Sequence, residues 1–265
     1  MKIGICGCAG RMGRMLVEAV LDGEGASLAG GSERAESPAL GQDLGSLIGR
    51  APLGQFVTGC VSGLFDVSDA VIDFTTPAAT VAHAALAAEQ GKVLVVGTTG
   101  LSSDDEAALA AAARRTVIVH APNFSVGVTL LTALTERAAA ILGPDYDIEI
   151  VEMHHRHKVD APSGTALGLG RAAAAGRRVA LDQVWRKSRD GHTGPRPAGE
   201  IGFATLRGGD VVGDHSVVFA AEGERVELTH KASSRAVFAR GAVRAALWAE
   251  GRAPGLYSMR DVLGL

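Results

Sequence analysis

The stretch "KIGICGCAGRMG", Lys2 to Gly13, decides the fold that we predict for this chain. Its first half is a short apolar run of the kind found in buried strands. Its second half contains three regularly spaced glycines, Gly7, Gly10 and Gly13. Apolar residues then recur at helical spacing up to Gly23; they are Met12, Met15, Leu16, Ala19 and Val20. The sequence therefore predicts a strand, a glycine turn and a helix, in that order.

The glycine turn is a candidate dinucleotide site. Glycines between a strand and a helix let the backbone approach a pyrophosphate, which the first N–H groups of the helix attract. The spacing here is G-x-x-G-x-x-G rather than the usual G-x-G-x-x-G, so an ordinary tight turn is the alternative. We predict that six residues of the turn bind the cofactor: Gly7, Cys8, Ala9, Gly10, Arg11 and Met12.

An acidic residue about 20 positions beyond the turn supports this interpretation. Glu33 follows "SLAGG", a weak second strand, and could accept hydrogen bonds from the adenosine ribose of NAD. Its neighbour Arg34 could instead pair with the 2′-phosphate of NADP. The dipeptide leaves NADH and NADPH both open as cofactors, and two solvated loop charges are the alternative.

Strands and helices continue to alternate up to about residue 125. "DAVIDF", "KVLVV" and "TVIVHA" read as buried strands, and Thr76, Pro77 and Gly91 suit the cap, first turn and stop of an intervening helix. The next helix starts near Ser103 with three acids. Uninterrupted apolar strands alternating with helices favour a parallel, doubly wound sheet covered on both faces. In the stretch 37–63, the sequence predicts only a short helix near 44–48.

Two loops follow predicted parallel strands, "GTTG" at Gly97–Gly100 and "APNFS" at Ala121–Ser125. Ligands bind at the carboxyl ends of the strands in such sheets. We therefore expect these loops to hold the nicotinamide half of the dinucleotide, although each alone could be an ordinary turn. The residues concerned are Gly97, Thr98, Thr99, Ala121, Pro122, Asn123 and Phe124.

The pattern changes in the second half of the chain. After a helix over 125–143, strand-like runs at 146–155, 200–207, 210–221 and 224–232 are linked by glycine turns and predict antiparallel or mixed sheet. The last segments, 235–251 and 257–265, read as helical. We predict a dinucleotide-binding domain over 1–125, completed by 235–265, and a second domain over 126–234.

Composition narrows the classes of function. The 265 residues are 47% hydrophobic, carry a net charge of −3 and contain no long basic block, so no nucleic-acid partner is expected. No window approaches 18 uninterrupted apolar residues, so no membrane partner is expected. Three cysteines cannot form a disulfide framework, which favours a reducing, cytoplasmic location.

The stretch "HHRHKVDAPSGTA", His154 to Ala166, concentrates groups that exchange protons or bind anions. Histidine has the side-chain pKa closest to neutrality, which suits a general acid. Ser163 precedes a helix whose first N–H groups, at Gly164 and Thr165, could bind a carboxylate, and Lys158 adds a positive charge. Metal ligation is the weaker alternative, because adjacent histidines of a strand point to opposite faces and no H-E-x-x-H spacing exists.

This stretch resembles the signature of the dihydrodipicolinate reductases, also called 4-hydroxy-tetrahydrodipicolinate reductases, of bacterial lysine and diaminopimelate biosynthesis. "GCAGRMG", "DFTTP", "GTTG" and "APNFSVGV" resemble further family motifs in the same order. The resemblance implies reduction of a cyclic dicarboxylate by NADH or NADPH. It also implies that His154 is the general acid, that Lys158 is a second proton donor and that His155 contacts the substrate.

The fold class that we predict is α/β, a Rossmann-like dinucleotide-binding domain with a second α+β mixed-sheet substrate and oligomerisation domain. The resemblance implies a homotetramer built through the second domain's sheet. A related amino-acid dehydrogenase, such as aspartate dehydrogenase, and a non-enzymatic dinucleotide sensor are the alternatives. The other histidines have no interpretable spacing and are expected to be structural or solvated: His83, His120, His192, His215 and His230.

Overall fold

The computed structural model describes all 265 residues and divides them into two compact units. Unit 1 comprises Met1–Val126 and Ala236–Leu265, and unit 2 comprises Gly127–Arg235. The chain thus leaves the first unit once and returns to it through its last 30 residues.

Unit 1 contains a six-stranded sheet in the order β11-β5-β4-β3-β1-β2, and all of its pairings are parallel. The order reverses at β1, which is the topological switch of a doubly wound sheet. The strands are β1 (Lys2–Cys6), β2 (Ser27–Ser32), β3 (Ala70–Asp73), β4 (Val93–Val96), β5 (Val117–His120) and β11 (Gly255–Tyr257).

The helices of unit 1 begin and end close to the residues that the sequence indicates. Helix α4 has Thr76 as its N-cap, Pro77 at its first position and Gly91 as a left-handed C-cap. Ser102, one residue before the expected start, caps α5 in a capping box with Asp105. The helices are α1 (Arg11–Leu21), α2 (Leu44–Leu47), α3 (Val61–Val67), α4 (Pro77–Gln90), α5 (Ser103–Ala112), α9 (Ala236–Trp248) and α10 (Met259–Leu263).

Apolar side chains cover both faces of this sheet. Ile3 and Ile5 of β1 belong to the layer that contains α1, α9 and α10. Cys6 and Val71 belong to the opposite layer, which contains α3, α4 and α5. Alternate side chains of a strand point to opposite faces, so two apolar layers require strands that are apolar throughout. The predicted α/β fold class with a doubly wound sheet is confirmed.

Unit 2 contains a five-stranded mixed sheet in the order β10-β9-β6-β8-β7. Strand β6 lies at its centre, antiparallel to β9 and parallel to β8. The strands are β6 (Asp147–His154), β7 (Trp185–Arg186), β8 (Ile201–Arg207), β9 (Gly213–Ala221) and β10 (Glu224–Ala232). The mixed sheet expected for the second half of the chain is therefore present.

Three helices belong to this second half: α6 (Val126–Leu142), α7 (Gly164–Gly176) and α8 (Leu181–Val184). Leu131 of α6 and Leu169 of α7 pack against Ile148 and Ile150 of β6, which are fully buried. Burial alternates along β6, so these helices cover one face of the sheet. The opposite face bears half-buried and exposed side chains such as Val151 and Leu206.

Helix α6 is long and apolar. By length and composition alone, the segment Val126–Asp145 could cross a membrane. Core helices of other proteins pass the same test, and Leu131 and Ala139 of α6 pack into the core of unit 2. The finding by itself therefore assigns no membrane role.

Candidate active site

The glycine turn after β1 has the shape that a phosphate-binding turn needs. Gly7 adopts a φ of +68°, which favours glycine, and its carbonyl accepts a hydrogen bond from Gly10 N at 3.0 Å. A Cβ at Gly13 would lie 2.0 Å from Gly7 O, so only glycine lets α1 approach the turn this closely. No side chain caps α1, and its first N–H groups, at Arg11 and Met12, have no partner within the helix.

Glu33 lies beside this turn. Its Oε1 accepts a hydrogen bond from Ala9 N at 2.9 Å, which ties the end of β2 to the glycine turn. Its neighbour Arg34 is exposed. Burial raises the pKa of the Cys8 thiol to about 12. The thiol of this turn residue therefore stays neutral.

Three loops at the carboxyl edge of the parallel sheet lie together. The rings of Phe74 and Phe124 are 5.5 Å apart, and a Cβ at Gly97 would lie 2.2 Å from the Phe74 ring. Thr75 N donates to Thr98 Oγ1 at 3.0 Å. The loops "DFTTP", "GTTG" and "APNFS" are thus joined by packing and hydrogen bonds.

A buried ion pair lies beneath two of these loops. His83 Nδ1 is 2.9 Å from Asp73 Oδ2, and Asp73 Oδ1 accepts hydrogen bonds from Thr75 N at 3.0 Å and Thr75 Oγ1 at 2.5 Å. Burial alone would lower the pKa of His83, but hydrogen bonds to Asp73 and Cys6 outweigh burial and raise this pKa to about 10. The imidazolium is therefore the stable form, and it anchors the carboxylate that holds Thr75.

Unit 2 places His154 at the end of β6 with its imidazole buried. Its Nδ1 is 2.5 Å from Oε2 of Glu152, a carboxylate that is 1% exposed. Residues two apart on a strand share a face, so the two side chains lie side by side. His154 is thus paired with an acid that the sequence-based prediction omitted.

Arg207 of β8 binds the other side of Glu152. Its Nη1 lies 2.8 Å from Glu152 Oε2 and its Nη2 lies 3.0 Å from Oε1, a bidentate pair. Ser163 N donates to Oε1 at 3.0 Å. Burial alone would raise the pKa of Glu152, but hydrogen bonds from Arg207, His154 and Ser163 N lower it below the ordinary range. Glu152 is therefore ionised.

His215 of β9 is a second buried histidine at this site. Its ring meets that of His154 edge to face at 5.1 Å, and its Nε2 is 3.1 Å from Ser163 Oγ. Burial, reinforced by the Coulombic effect of the neighbouring His154, lowers the pKa of His215 to about 4. His215 is therefore neutral, and it is a buried residue that contacts both His154 and the helix cap Ser163.

Lys158 and His155 lie on the loop that follows β6. Lys158 Nζ donates to Asp160 Oδ1 at 2.7 Å, and the lysine side chain is 20% exposed. His155 Nε2 is 3.2 Å from Arg235 Nη2. Burial, together with nearby positive charges, among which Arg235 is the largest, lowers the pKa of His155. The loop thus carries net positive charge beside a neutral His155.

Helix α7 begins at this loop. Ser163 is its N-cap, and Ser163 Oγ accepts from Ala166 N at 3.1 Å. The first two N–H groups of α7 belong to Gly164, which is exposed, and Thr165. The positive end of the helix dipole favours an anion at these groups. The geometry thus combines a buried imidazole with a helix start whose dipole favours an anion.

The structure gathers the predicted site residues into two groups. Unit 1 contains every predicted cofactor residue at the carboxyl edge of its sheet, and unit 2 contains His154, His155, Lys158, Gly164 and Thr165 around the start of α7. Sequence reasoning omitted Glu152, Arg207, His215 and Arg235. The two-residue spacing of Glu152 and His154 was a usable signal, whereas Arg207 and His215 reach the site only through strand pairing.

Family models match nearly the whole chain. A model described as dihydrodipicolinate reductase, N-terminus, matches residues 1–124, and one described as dihydrodipicolinate reductase, C-terminus, matches residues 127–263. A 4-hydroxy-tetrahydrodipicolinate reductase of Dinoroseobacter shibae is 58% identical over 99% of this chain and 98% of its own length. One of Brucella abortus is 55% identical over 100% of this chain and 99% of its own length.

Solved structures share the fold. A dipicolinate-bound dihydrodipicolinate reductase from Paenisporosarcina sp. TG-14 aligns with a TM-score of 0.79 and 24% identity, covering 98% of each chain. An amine dehydrogenase from Mycobacterium smegmatis aligns with a TM-score of 0.59 and 14% identity, covering 97% of this chain and 95% of its own. At these identities the likeness concerns architecture alone.

Proposed function

The chain belongs to the dihydrodipicolinate reductase family, and from this we propose that it reduces 4-hydroxy-tetrahydrodipicolinate to tetrahydrodipicolinate in lysine and diaminopimelate biosynthesis. It is an NAD(P)H-dependent oxidoreductase. This conclusion rests on the 55% and 58% sequence identity, over nearly the full length, to reductases of that name. This similarity favours a reductase over an amino-acid dehydrogenase or a dinucleotide sensor.

The reaction transfers one hydride and one proton to a cyclic dicarboxylate and removes one water, formed from the hydroxyl group and one hydrogen of the substrate. The bound nicotinamide supplies the hydride. The ring then requires a proton to neutralise its developing negative charge, and a positioned general acid contributes about 10²- to 10⁴-fold to such a step. The protein must therefore hold two carboxylates and present one acid.

His154 is the acid in this proposal. Glu152 accepts a hydrogen bond from Nδ1 of the ring, so the proton that leaves the imidazolium is the one on Nε2. Donation from Nε2 leaves a neutral ring with its hydrogen still on Nδ1, which is the form that the Glu152 carboxylate accepts.

Lys158 and the start of α7 bind the substrate in this proposal. A carboxylate at Gly164 N and Thr165 N would interact with the positive end of α7, and the Lys158 ammonium would exchange its contact with Asp160 for the substrate. Lys158 would also act as a second proton donor. His155, neutral and held by Arg235, would contact the ring of the substrate.

The cofactor roles are assigned within unit 1. The turn from Gly7 to Met12 would hold the pyrophosphate against the uncapped start of α1. Glu33 would bind the adenosine ribose of NADH, and the exposed Arg34 would bind the 2′-phosphate of NADPH. The joined loops would hold the nicotinamide half through Gly97, Thr98, Thr99, Ala121, Pro122, Asn123 and Phe124.

We further propose a cytoplasmic homotetramer. The uncovered face of the mixed sheet presents apolar side chains, including Val151, Met153 and Leu206, of which Leu206 is 50% exposed. Such a face is suited to pack against the same face of another copy. The three cysteines are free, as is typical of a reducing compartment.

The experiment that tests the proposed function is a cofactor oxidation assay. Freshly generated 4-hydroxy-tetrahydrodipicolinate should cause oxidation of NADH or NADPH by the purified protein, followed as loss of nicotinamide absorbance. Aspartate with NAD is the control and should give no reduction of NAD. Turnover of aspartate without turnover of the cyclic substrate would contradict the proposal.

A further inference from the structure

The covered face of the mixed sheet changes from apolar to ionisable towards one end. Two rows of paired residues in the middle of the sheet are apolar, and the next two rows carry the charged and titratable groups. The apolar rows are Ile201–Ile148–Phe219 and Phe203–Ile150–Val217, and the polar rows are Thr205–Glu152–His215 and Arg207–His154. The polar cluster is therefore fixed by strand register rather than by flexible loops.

Glu152 is surrounded by hydrogen-bond donors. Oε1 accepts from Ser163 N and Arg207 Nη2, and Oε2 accepts from Arg207 Nη1 and His154 Nδ1. A carboxylate has about four lone-pair sites, so its acceptor capacity is filled. Glu152 has no free oxygen to exchange a proton with a substrate, and its chemical effect must pass through His154.

The carboxylate fixes which nitrogen of His154 carries the exchangeable proton. Nδ1 is a donor to Glu152 in both the neutral and the charged ring, so only Nε2 changes its protonation state. This Nε2 lies next to Gly213, where a Cβ would be only 3.0 Å away. The absence of a side chain at Gly213 thus keeps space beside the proton-exchanging nitrogen.

Arg207 connects the carboxylate to the loop that carries Lys158. Besides its two bonds to Glu152, Arg207 Nη2 donates to Asp160 O at 2.7 Å. The Asp160 side chain accepts from Lys158 Nζ. The Arg207 guanidinium therefore contacts two groups. One is the Glu152 carboxylate, which is paired with His154, and the other is the backbone of Asp160, whose side chain is paired with Lys158.

We propose that Glu152 and Arg207 are positioning residues of the reductase, which hold His154 with Nδ1 protonated so that it donates its proton from Nε2. This inference rests on the proposed function, because it takes His154 as the general acid. The groups that face the imidazole are Glu152 on its own strand, Arg207 on β8 and His215 on β9, and Lys158 and Asp160 lie on the adjoining loop.

The first test observes the His154 ring directly. In protein labelled with ¹⁵N-histidine, long-range ¹H–¹⁵N spectra distinguish the two neutral tautomers, and the His154→Gln variant assigns the signal. At a pH at which the ring is neutral, His154 of the wild type should carry its hydrogen on Nδ1. Glu152→Gln should shift the ring towards the Nε2–H tautomer, because an amide NH₂ group can donate to Nδ1. An unchanged tautomer would overturn the proposal.

The second test is kinetic. Glu152→Gln should lower kcat about 10- to 100-fold, less than complete loss of a general acid, with little change in dinucleotide affinity. Arg207→Lys should lower kcat and also raise KM for the substrate, since a lysine cannot bind Glu152 and Asp160 O together. Normal kcat in Glu152→Gln would overturn the proposal even if the tautomer changes.

Glu149→Gln is the matched control. Glu149 lies on the same strand, faces the other side of the sheet, and also accepts hydrogen bonds from two arginines, Arg189 and Arg196. It should retain normal kcat and an unchanged His154 ring, and sedimentation would verify the assembly of each variant. Equal losses in Glu149→Gln and Glu152→Gln would indicate a general effect on the fold and overturn the proposal.

Different experiments test the proposed function and the positioning role of Glu152. If the wild type does not turn over the cyclic dicarboxylate, the proposed function is wrong. The tautomer experiment on the unliganded protein still decides whether Glu152 fixes His154, because it requires no substrate.

Discussion

At the scale of single residues, the small size of Gly213 is tied to the proposed proton transfer. A Cβ at this position would lie 3.0 Å from His154 Nε2 and 3.4 Å from His215 Cε1. Contacts of 3.0 Å are too close for a carbon, so either the methyl group or an imidazole must move. The residue lies on β9 in the row next to the Glu152–His215 pair.

Gly213→Ala should therefore lower kcat about tenfold or more. A displaced imidazole that raises the activation free energy by about 1.4 kcal/mol already slows the reaction tenfold. The dissociation constant for NADH should not change, because the proposed dinucleotide-binding residues belong to unit 1. Steady-state kinetics and cofactor titration check both expectations. Wild-type kcat in this variant would show that the space beside Nε2 is not needed.

Lys158 and Thr165 are assigned overlapping roles that kinetics can separate. Lys158→Ala and Thr165→Ala should both raise KM through weaker carboxylate binding, and only Lys158→Ala should also depress kcat if the ammonium acts in the transition state. Higher salt should weaken substrate binding less steeply in the lysine variant. Identical kinetics and salt dependence in the two variants would show that Lys158 binds the substrate but does not donate a proton.

The sequence predicts only part of this residue network. The dense histidine and lysine pattern marks the stretch from His154 to Ala166, and the resemblance to the reductase family singles out His154 and Lys158 within it. Arg207 and His215 lie 53 and 61 positions after His154 in the sequence and meet it through the register of β8 and β9. Spacing along one chain carries no information on that register, which depends on the pairing of three strands.

At the scale of elements, the connection from β3 to α4 shows how the parallel sheet supports its loops. Asp73 ends β3, His83 lies within α4, and their ion pair fixes Thr75 between them. His83 is expected from the sequence to be structural or solvated, and its buried pair with Asp73 makes it structural. Its raised pKa has a consequence for stability.

The folded-state pKa of His83, about 10, lies above its unfolded value of about 6.5. The folded state therefore holds a proton that the unfolded state releases, so this contribution is fully present below pH 6.5 and is lost as the pH rises to 10. The free energy of unfolding of the wild type should fall across this window more than that of His83→Asn. Urea unfolding at several pH values measures this, and parallel declines would contradict the assigned pair.

Element boundaries are predicted best where capping residues are distinctive. Thr76, Pro77 and Gly91 mark α4 because each residue satisfies a specific requirement of a helix end. Strand β11 escapes prediction because it has only three residues, and Tyr257, expected in a terminal helix, ends this strand. Helix α3 (Val61–Val67) also escapes prediction: Val61, Leu64 and Phe65 have helical spacing, but seven residues are too few to establish a helical pattern.

At the scale of the whole molecule, the uncovered face of the mixed sheet is the basis of the proposed tetramer. Leu206→Lys places a charge on this face, and its burial against another copy would be unfavourable. We expect the wild type to sediment at about four times the chain mass of 27.1 kDa and the variant at a smaller mass. A wild-type monomer, or an unchanged assembly in the variant, would contradict this interface.

In the proposed reaction, His154, held by Glu152, delivers a proton during reduction of the cyclic dicarboxylate. The most direct measurement is kcat of His154→Gln together with its dissociation constant for NADH. We predict a loss of about 10²- to 10⁴-fold in kcat with cofactor affinity intact, because the imidazole is proposed to act in the transition state and the proposed dinucleotide-binding residues lie in unit 1. A kcat near that of the wild type would show that His154 is not the general acid.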